Sequence, residues 1–275
     1  MGSSFFVVRP VKFIKLCYAL FTENKITQAS AALSYYLTMT FFPLLIIAYS
    51  FMDESYARTE QIVKLGEKIL SEDLLVFISD FLLYIDSGDS RLMLPLGLSL
   101  LLGYASAGLR CVQSTIGGIQ GGSEYKGLSA FLFSFLYCLA LLAVSYLAII
   151  VMLSGPALVE DISNAFPASR KLLELIPVSH VLLAGVLFLL LLGFYHVPKR
   201  ARDKYRVLPG AAAASAAVLI LSPLFSFVMR RSVKYSLIYG ALASLVLLML
   251  WLYMCCVLIY CGAILNVALY EVKKN

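Results

Sequence analysis

Hydroxyl, amide and guanidinium groups set inside otherwise apolar stretches are the residues of this chain best placed to do chemistry. Thr27, Ser30, Ser34 and Thr38 recur at three- to four-residue spacing. On a helix that spacing makes one polar seam. Tyr35 and Tyr36 flank it, and Pro43 follows further along. A polar side chain in a membrane span must find a partner, so such a seam marks a bundle interior or a cavity. Two readings stay open: hydrogen bonding between helices, or the wall of a polar pathway gated at a proline-weakened turn.

Arg110 and Gln113 close the second apolar stretch, and Asn266 lies four residues after Gly262 near the end of the last one. An interfacial Arg serves as a snorkelling anchor or as a two-point ligand for a phosphate. Asn266 reads as a helix cross-link or as cavity lining. Lys199, Arg200, Arg202, Lys204 and Arg206 crowd one short loop. Such a loop fixes topology, and it can also gather anionic headgroups at about 1 kcal/mol per cation.

Other chemistries find little footing. The six cysteines (17, 111, 138, 255, 256 and 261) show no C-x-x-C spacing, so neither a zinc site nor a disulfide framework is expected. His180 and His196 stand about 24 Å apart along a helix, too far to share a ligand. The glycine pairs 117–118 and 121–122 lack the Lys-Ser/Thr of a phosphate-binding loop and read as a cytoplasmic turn. No catalytic residue, metal or cofactor is expected, and the chain is read as a non-enzyme.

The elements that must position these groups follow from composition. Of 275 residues, 61% are hydrophobic and 14% charged, far from the about 45–50% and about 25% of soluble domains. Six uncharged windows, each long enough to cross a bilayer, run over 26–52, 92–109, 127–159, 175–198, 207–229 and 235–270. The expected fold is therefore all-α: a polytopic bundle of about six transmembrane helices in a single membrane domain, 1–275. Residues 53–91 should form extracytoplasmic amphipathic helices between the first two spans, as packing or as a lid. Arg9 to Phe21 should be a basic amphipathic helix on the cytoplasmic leaflet, within a cytoplasmic segment 1–25. With both termini inside, 13 of the 22 Lys and Arg and only four of the 16 acidic residues are cytoplasmic. That division obeys the positive-inside rule, although Arg230, Arg231 and Lys234 fall outside.

The chain resembles the YihY/BrkB family of bacterial inner-membrane proteins, once labelled ribonuclease BN-like. The resemblance is carried by Ala31-Ala32-Leu33-Ser34-Tyr35-Tyr36 with Phe42-Pro43-Leu44-Leu45, and by Val207-Leu208-Pro209-Gly210-Ala211. It continues in Tyr235 to Ala243, Trp251-Leu252-Tyr253 and Gly262-Ala263-Ile264-Leu265-Asn266. It implies six helices, residence in the bacterial plasma membrane, and transport of lipids or lipid-like molecules in some members. Tyr35, Tyr36, Pro43, Tyr239, Gly240 and Asn266 fall on family motif positions. A nuclease would want clustered metal-binding carboxylates, whereas Glu23, Glu124, Asp203 and Glu271 are scattered. The expectation is a transporter or flippase-like protein for an anionic amphiphile, with membrane lipids as partners and no nucleic acid. The rival is a non-transporting scaffold or partner subunit of a cell-envelope assembly. Small-residue faces also permit a homo-oligomer.

Overall fold

The computed structural model describes residues 10–50, 72–86, 90–121, 178–196, 207–231 and 242–274. These form seven helices with no strand among them. In chain order they are α1 (Pro10–Glu23), α2 (Ile26–Ser50), α3 (Glu72–Asp86), α4 (Ser90–Ile119), α5 (Val178–His196), α6 (Leu208–Arg231) and α7 (Leu242–Lys274). The protein is an all-α membrane protein. Among the described residues four helical stretches are long and apolar enough to span a bilayer: Ile26–Ile47, Met93–Ile119, Leu208–Phe225 and Leu245–Val272. A shorter apolar stretch, Leu187–His196, lies at the end of α5. The expected third window, 127–159, lies outside the described residues.

Local chemistry sets several boundaries. Pro10 opens α1, where its missing N–H would lack a helical partner anyway. The helix ends as the Asn24 backbone N–H and side-chain Nδ2 both donate to the Leu20 carbonyl, at 3.2 and 2.9 Å. Lys25 then takes a positive φ of 49°, which redirects the chain into α2. In α4 the structure corrects the expected end. The helix continues through Gly117 and Gly118 to Ile119, and the stop comes at Gly121 with φ of 63°. Gly118 is not a turn residue; a Cβ there would lie 2.8 Å from Asn24 Oδ1, so close approach explains the glycine.

The chain forms two compact units, and α2, α4, α6 and α7 each contribute to both. In the unit of residues 30–111 and 223–256, α3 lays Ile78 and Leu82 against Ile46 of α2. Phe41, Leu45, Phe81 and Met93 surround that contact. Phe42 meets Phe81 edge to face, with centroids 5.4 Å apart. The second expected amphipathic helix therefore serves as packing, with Val76 and Leu83 left exposed on its other side. The same unit brings α4 against α2 at two glycines. A Cβ on Gly97 would lie 3.0 Å from Ile46 Cγ2, and one on Gly108 3.2 Å from Tyr36 Cβ. Gly103, between them in sequence, is instead exposed, with no described atom beyond its own helix backbone within 4 Å. The reason is angular: 97 and 108 are eleven residues apart, three whole turns, and 103 points elsewhere.

Candidate functional site

The hydroxyl seam of α2 is mostly dry. Ser30, Ser34 and Thr38 are buried, whereas Thr27 at its near end is exposed. Ser34 Oγ donates to the Ala31 carbonyl at 2.9 Å, and Thr38 Oγ1 donates to the Ser34 carbonyl at 2.8 Å. Both hydroxyls are thus satisfied by their own helix, a habit of Ser and Thr in spans. Ser30 Oγ is fully buried with no partner among the described residues. Tyr35 is 43% exposed and stands edge-on to the half-buried Tyr36 at 5.7 Å. Pro43 is buried inside α2, and its lack of an N–H leaves the Met39 carbonyl without its helical donor.

Arg110 is not part of that seam. It is exposed on a face of α4 that also carries exposed Leu96, Leu100, Gly103 and Ser114, at helical spacing. Counted from Met93, where the apolar stretch begins, Arg110 lies about 26 Å along the helix. The apolar stretch itself continues nine residues further, to Ile119. Gln113, on the neighbouring face, is half-buried.

The second unit, residues 1–29, 112–222 and 257–275, holds a polar junction among its described residues. Asn266 is 1% exposed and acts across helices. Its Oδ1 accepts from the Gly210 N–H at 2.7 Å, and its Nδ2 donates to the Val207 carbonyl at 3.2 Å. Val207 precedes α6 and has no side-chain oxygen to cap it. Asn266 of α7 therefore supplies the N-terminal cap of α6 from outside. The contact demands two glycines: a Cβ on Gly210 would overlap the Gly262 carbonyl oxygen, and one on Gly262 would lie 2.7 Å from the Gly210 carbonyl oxygen. Beside it, Tyr195 of α5 donates its hydroxyl to the Ile259 carbonyl at 2.5 Å. Gln120 Nε2 donates to the Tyr195 carbonyl at 2.9 Å, while Gln120 Oε1 is buried with no described partner.

One turn deeper, α1, α6 and α7 leave a hollow of about 310 Å³, open on one side. Cys17, Phe21, Ala213, Ala217, Leu258 and Gly262 line it. Burial raises the pKa of the Cys17 thiol above its ordinary range. Tyr239 and the loop cations Lys199, Arg200 and Arg202 lie outside the described residues.

An all-helical chain with several bilayer-length spans, cross-linked at the Val207–Ala211 and Gly262–Asn266 motifs, fits the comparisons with known proteins. The family model described as virulence factor BrkB matches residues 17–275. The chain belongs to the BrkB family. Among BrkB-like relatives, the ribonuclease-like protein YfkH of Bacillus subtilis (strain 168) is 22% identical over 267 residues, 96% of this chain and 97% of that protein. The UPF0761 membrane protein NT05HA_1801 of Aggregatibacter aphrophilus (strain NJ8700) is 23% identical over 269 residues, 96% of this chain and 94% of its own. A UPF0761 membrane protein of Teredinibacter turnerae is 25% identical over 266 residues, 92% of this chain and 59% of its length. No solved structure matches the chain.

Sequence reasoning singled out Asn266 but not its partners. Gly210 stood only within a motif, and Tyr195 and Gln120 carried no periodic signal. The hollow also escaped it. The clue available was the density of small residues from Gly210 to Ala217, opposite Gly262.

Proposed function

We propose that this BrkB-family membrane protein is a transporter or flippase-like carrier for a lipid or another anionic amphiphile. It resides in the bacterial plasma membrane with both termini cytoplasmic. The observation that carries the reading is Arg110, exposed on a largely apolar face of α4 about 26 Å along its apolar stretch, which the reading sets at headgroup depth. A guanidinium at a helix centre costs about 2.5–3.5 kcal/mol to insert. At headgroup depth that penalty is replaced by a bidentate hydrogen bond to a phosphate. In the proposed mechanism Arg110 holds the head while the acyl chains stay in lipid, and the loop cations Lys199, Arg200 and Arg202 raise the local concentration of anionic lipid. The sequence carries no ATP-binding motif, so movement would be passive, ion-coupled or driven by a partner. The reading is non-enzymatic and needs no nucleic acid; the ribonuclease-like label is that of the Bacillus relative.

A second reading, a non-transporting scaffold of a cell-envelope assembly, is favoured by the seam of α2. Ser34 and Thr38 are buried and satisfied within the helix, as packing alone would have them. Transport through the seam would require α2 to separate from its neighbours.

Purified protein in liposomes, with a fluorescent anionic phospholipid followed by quenching of the outer leaflet, tests the choice. The carrier reading expects movement above protein-free liposomes. It further expects Arg110→Ala to slow movement roughly tenfold, the equivalent of about 1.4 kcal/mol, with partial recovery in Arg110→Lys. Movement no faster than in protein-free liposomes, across a panel of anionic and neutral lipids, leaves the scaffold.

A further inference from the structure

We infer that the hollow between α1, α6 and α7 is an acyl-chain site for an anionic phospholipid of the cytoplasmic leaflet, an inference that rests on the lipid-carrier reading and its orientation. The volume, about 310 Å³, falls at the lower edge of sites that enclose small ligands, about 300–1,000 Å³. The space exists because Ala213, Ala217 and Gly262 present almost no side chain where a leucine would close it. Its remaining lining is hydrocarbon and two thiols, Cys17 and Cys261, which gives a polar head nothing to bond and an alkyl chain everything it needs. A hollow open to lipid and lined this way forfeits dispersion contacts unless a chain fills it.

The α1 helix fixes where the head would sit. Cys17 and Phe21, one turn apart, face the hollow. Ile14 and Tyr18 are 65% and 72% exposed on the outer side, which suits a helix lying about 5–10 Å into the boundary between headgroups and acyl chains. Lys12 and Lys15 on α1 and Lys25 just beyond it are exposed, as is Glu23, so the segment that lines one side of the hollow carries three cations against one acid. That charge selects an anionic headgroup over a neutral one, and the depth of α1 puts the hollow at the level of the acyl chain rather than of the phosphate.

The test uses the full chain in nanodiscs containing an anionic phospholipid with a diazirine on one acyl chain. After irradiation, the labelled peptides are mapped by mass spectrometry. Labelling is expected on residues 213–217 and 258–265. It should fall about tenfold in Ala217→Trp, which fills the hollow, and persist in Ala216→Trp, whose side chain points outward; that ratio corresponds to about 1.4 kcal/mol. The unsubstituted protein gives an independent readout: alkylation of Cys17 and Cys261 should be slower with the anionic lipid present than after delipidation. Equal labelling in parent and Ala217→Trp overturns the site, as do equal labelling by a neutral probe, crosslinks between two copies of the chain, and thiol rates indifferent to lipid. Flux is scored separately in liposomes. A labelled hollow without flux leaves the site standing and removes the carrier reading; flux without labelling does the reverse.

Discussion

Replacing Asn266 by Ala removes two hydrogen bonds at once, and the geometry sets the scale of the loss. The Gly210 N–H is left buried without its 2.7 Å acceptor, whereas the Val207 carbonyl loses the 3.2 Å amide donor but keeps the Ala211 N–H. A buried polar group stripped of its partner costs about 1–3 kcal/mol. Interhelical hydrogen bonds within bilayers average only about 0.6 kcal/mol, with a maximum near 1.7, because the separated helices find other partners. The Gly210 N–H belongs to the first turn of α6, where no helical acceptor exists and Val207 cannot cap. The higher part of the range therefore applies, about 1.5–3 kcal/mol. Gly210→Ala attacks the same junction sterically, since its Cβ would overlap the Gly262 carbonyl and crowd Asn266 Nδ2 at 2.5 Å. Backbone cannot swing aside as a side chain can, so about 1–3 kcal/mol is expected. The two changes share one contact. The double variant should lose less than the sum of the singles by at least about 0.5 kcal/mol. Thermal unfolding of purified protein in nanodiscs measures all three, at about 2–4 °C per kcal/mol for a chain near this size. Additive losses, or an Asn266→Ala protein that melts with the parent, would refute the cap from α7.

Four further outcomes follow from the same contacts. Ser30→Ala should be neutral or slightly stabilising, within about 0.5 kcal/mol by the same melt, because it deletes a buried hydroxyl without a described partner. Gly118→Ala should cost less than Gly210→Ala, under about 1 kcal/mol, since the only atoms in its way belong to the movable Asn24 side chain. Tyr195→Phe should cost about 1 kcal/mol through loss of the bond to the Ile259 carbonyl. Cys17 should alkylate more slowly than an exposed thiol at neutral pH. Burial raises its pKa and the thiolate is the nucleophile, so its rate should still be climbing at pH values where an exposed cysteine has levelled; a profile that coincides with that of a free thiol contradicts the burial of α1 against its neighbours.

Much of the architecture was legible because lipid removes most alternatives. Uncharged windows located α2, α4, α6 and α7, and the basic amphipathic stretch located α1. The end of α4 was misjudged because a pair of glycines normally signals a turn; Gly118 is instead a packing residue answering to Asn24, a long-range fact that local propensity does not contain. The same holds for Gly103 and Gly108. Both lie in one small-residue segment, and only the rotation of α4 against α2 decides that Gly108 meets Tyr36 while Gly103 faces outward. Within the candidate site, Ser30, Ser34 and Thr38 share a buried side of α2 while Thr27 is exposed. The dryness of that side could not be read, because burial depends on what another helix presents to it.

The contrast between the seam and the junction has a chemical origin. A serine or threonine hydroxyl carries a single donor on a short stem and can fold back to a carbonyl three or four residues earlier, as Ser34, Thr38 and Ser215 all do. Such a residue is satisfied before any neighbour arrives, so a periodic row of hydroxyls says little about what lies opposite. An amide carries two donors and an acceptor, and its own helix turn takes up at most part of them, as where one donor of Asn24 reaches back to Leu20. Asn266 and Gln120 accordingly reach to other segments, and Gly210 and Gly262 bring the backbones close enough for the short Asn266 side chain to arrive. In a lipid-embedded helix a lone Asn or Gln beside glycine is thus the stronger sign of a fixed crossing. A motion that carried α6 past α7 here would have to break the cap of α6 and expose its first amide to lipid. Alternating states, if the protein is a carrier, must therefore keep the start of α6 and the end of α7 together as one moving body.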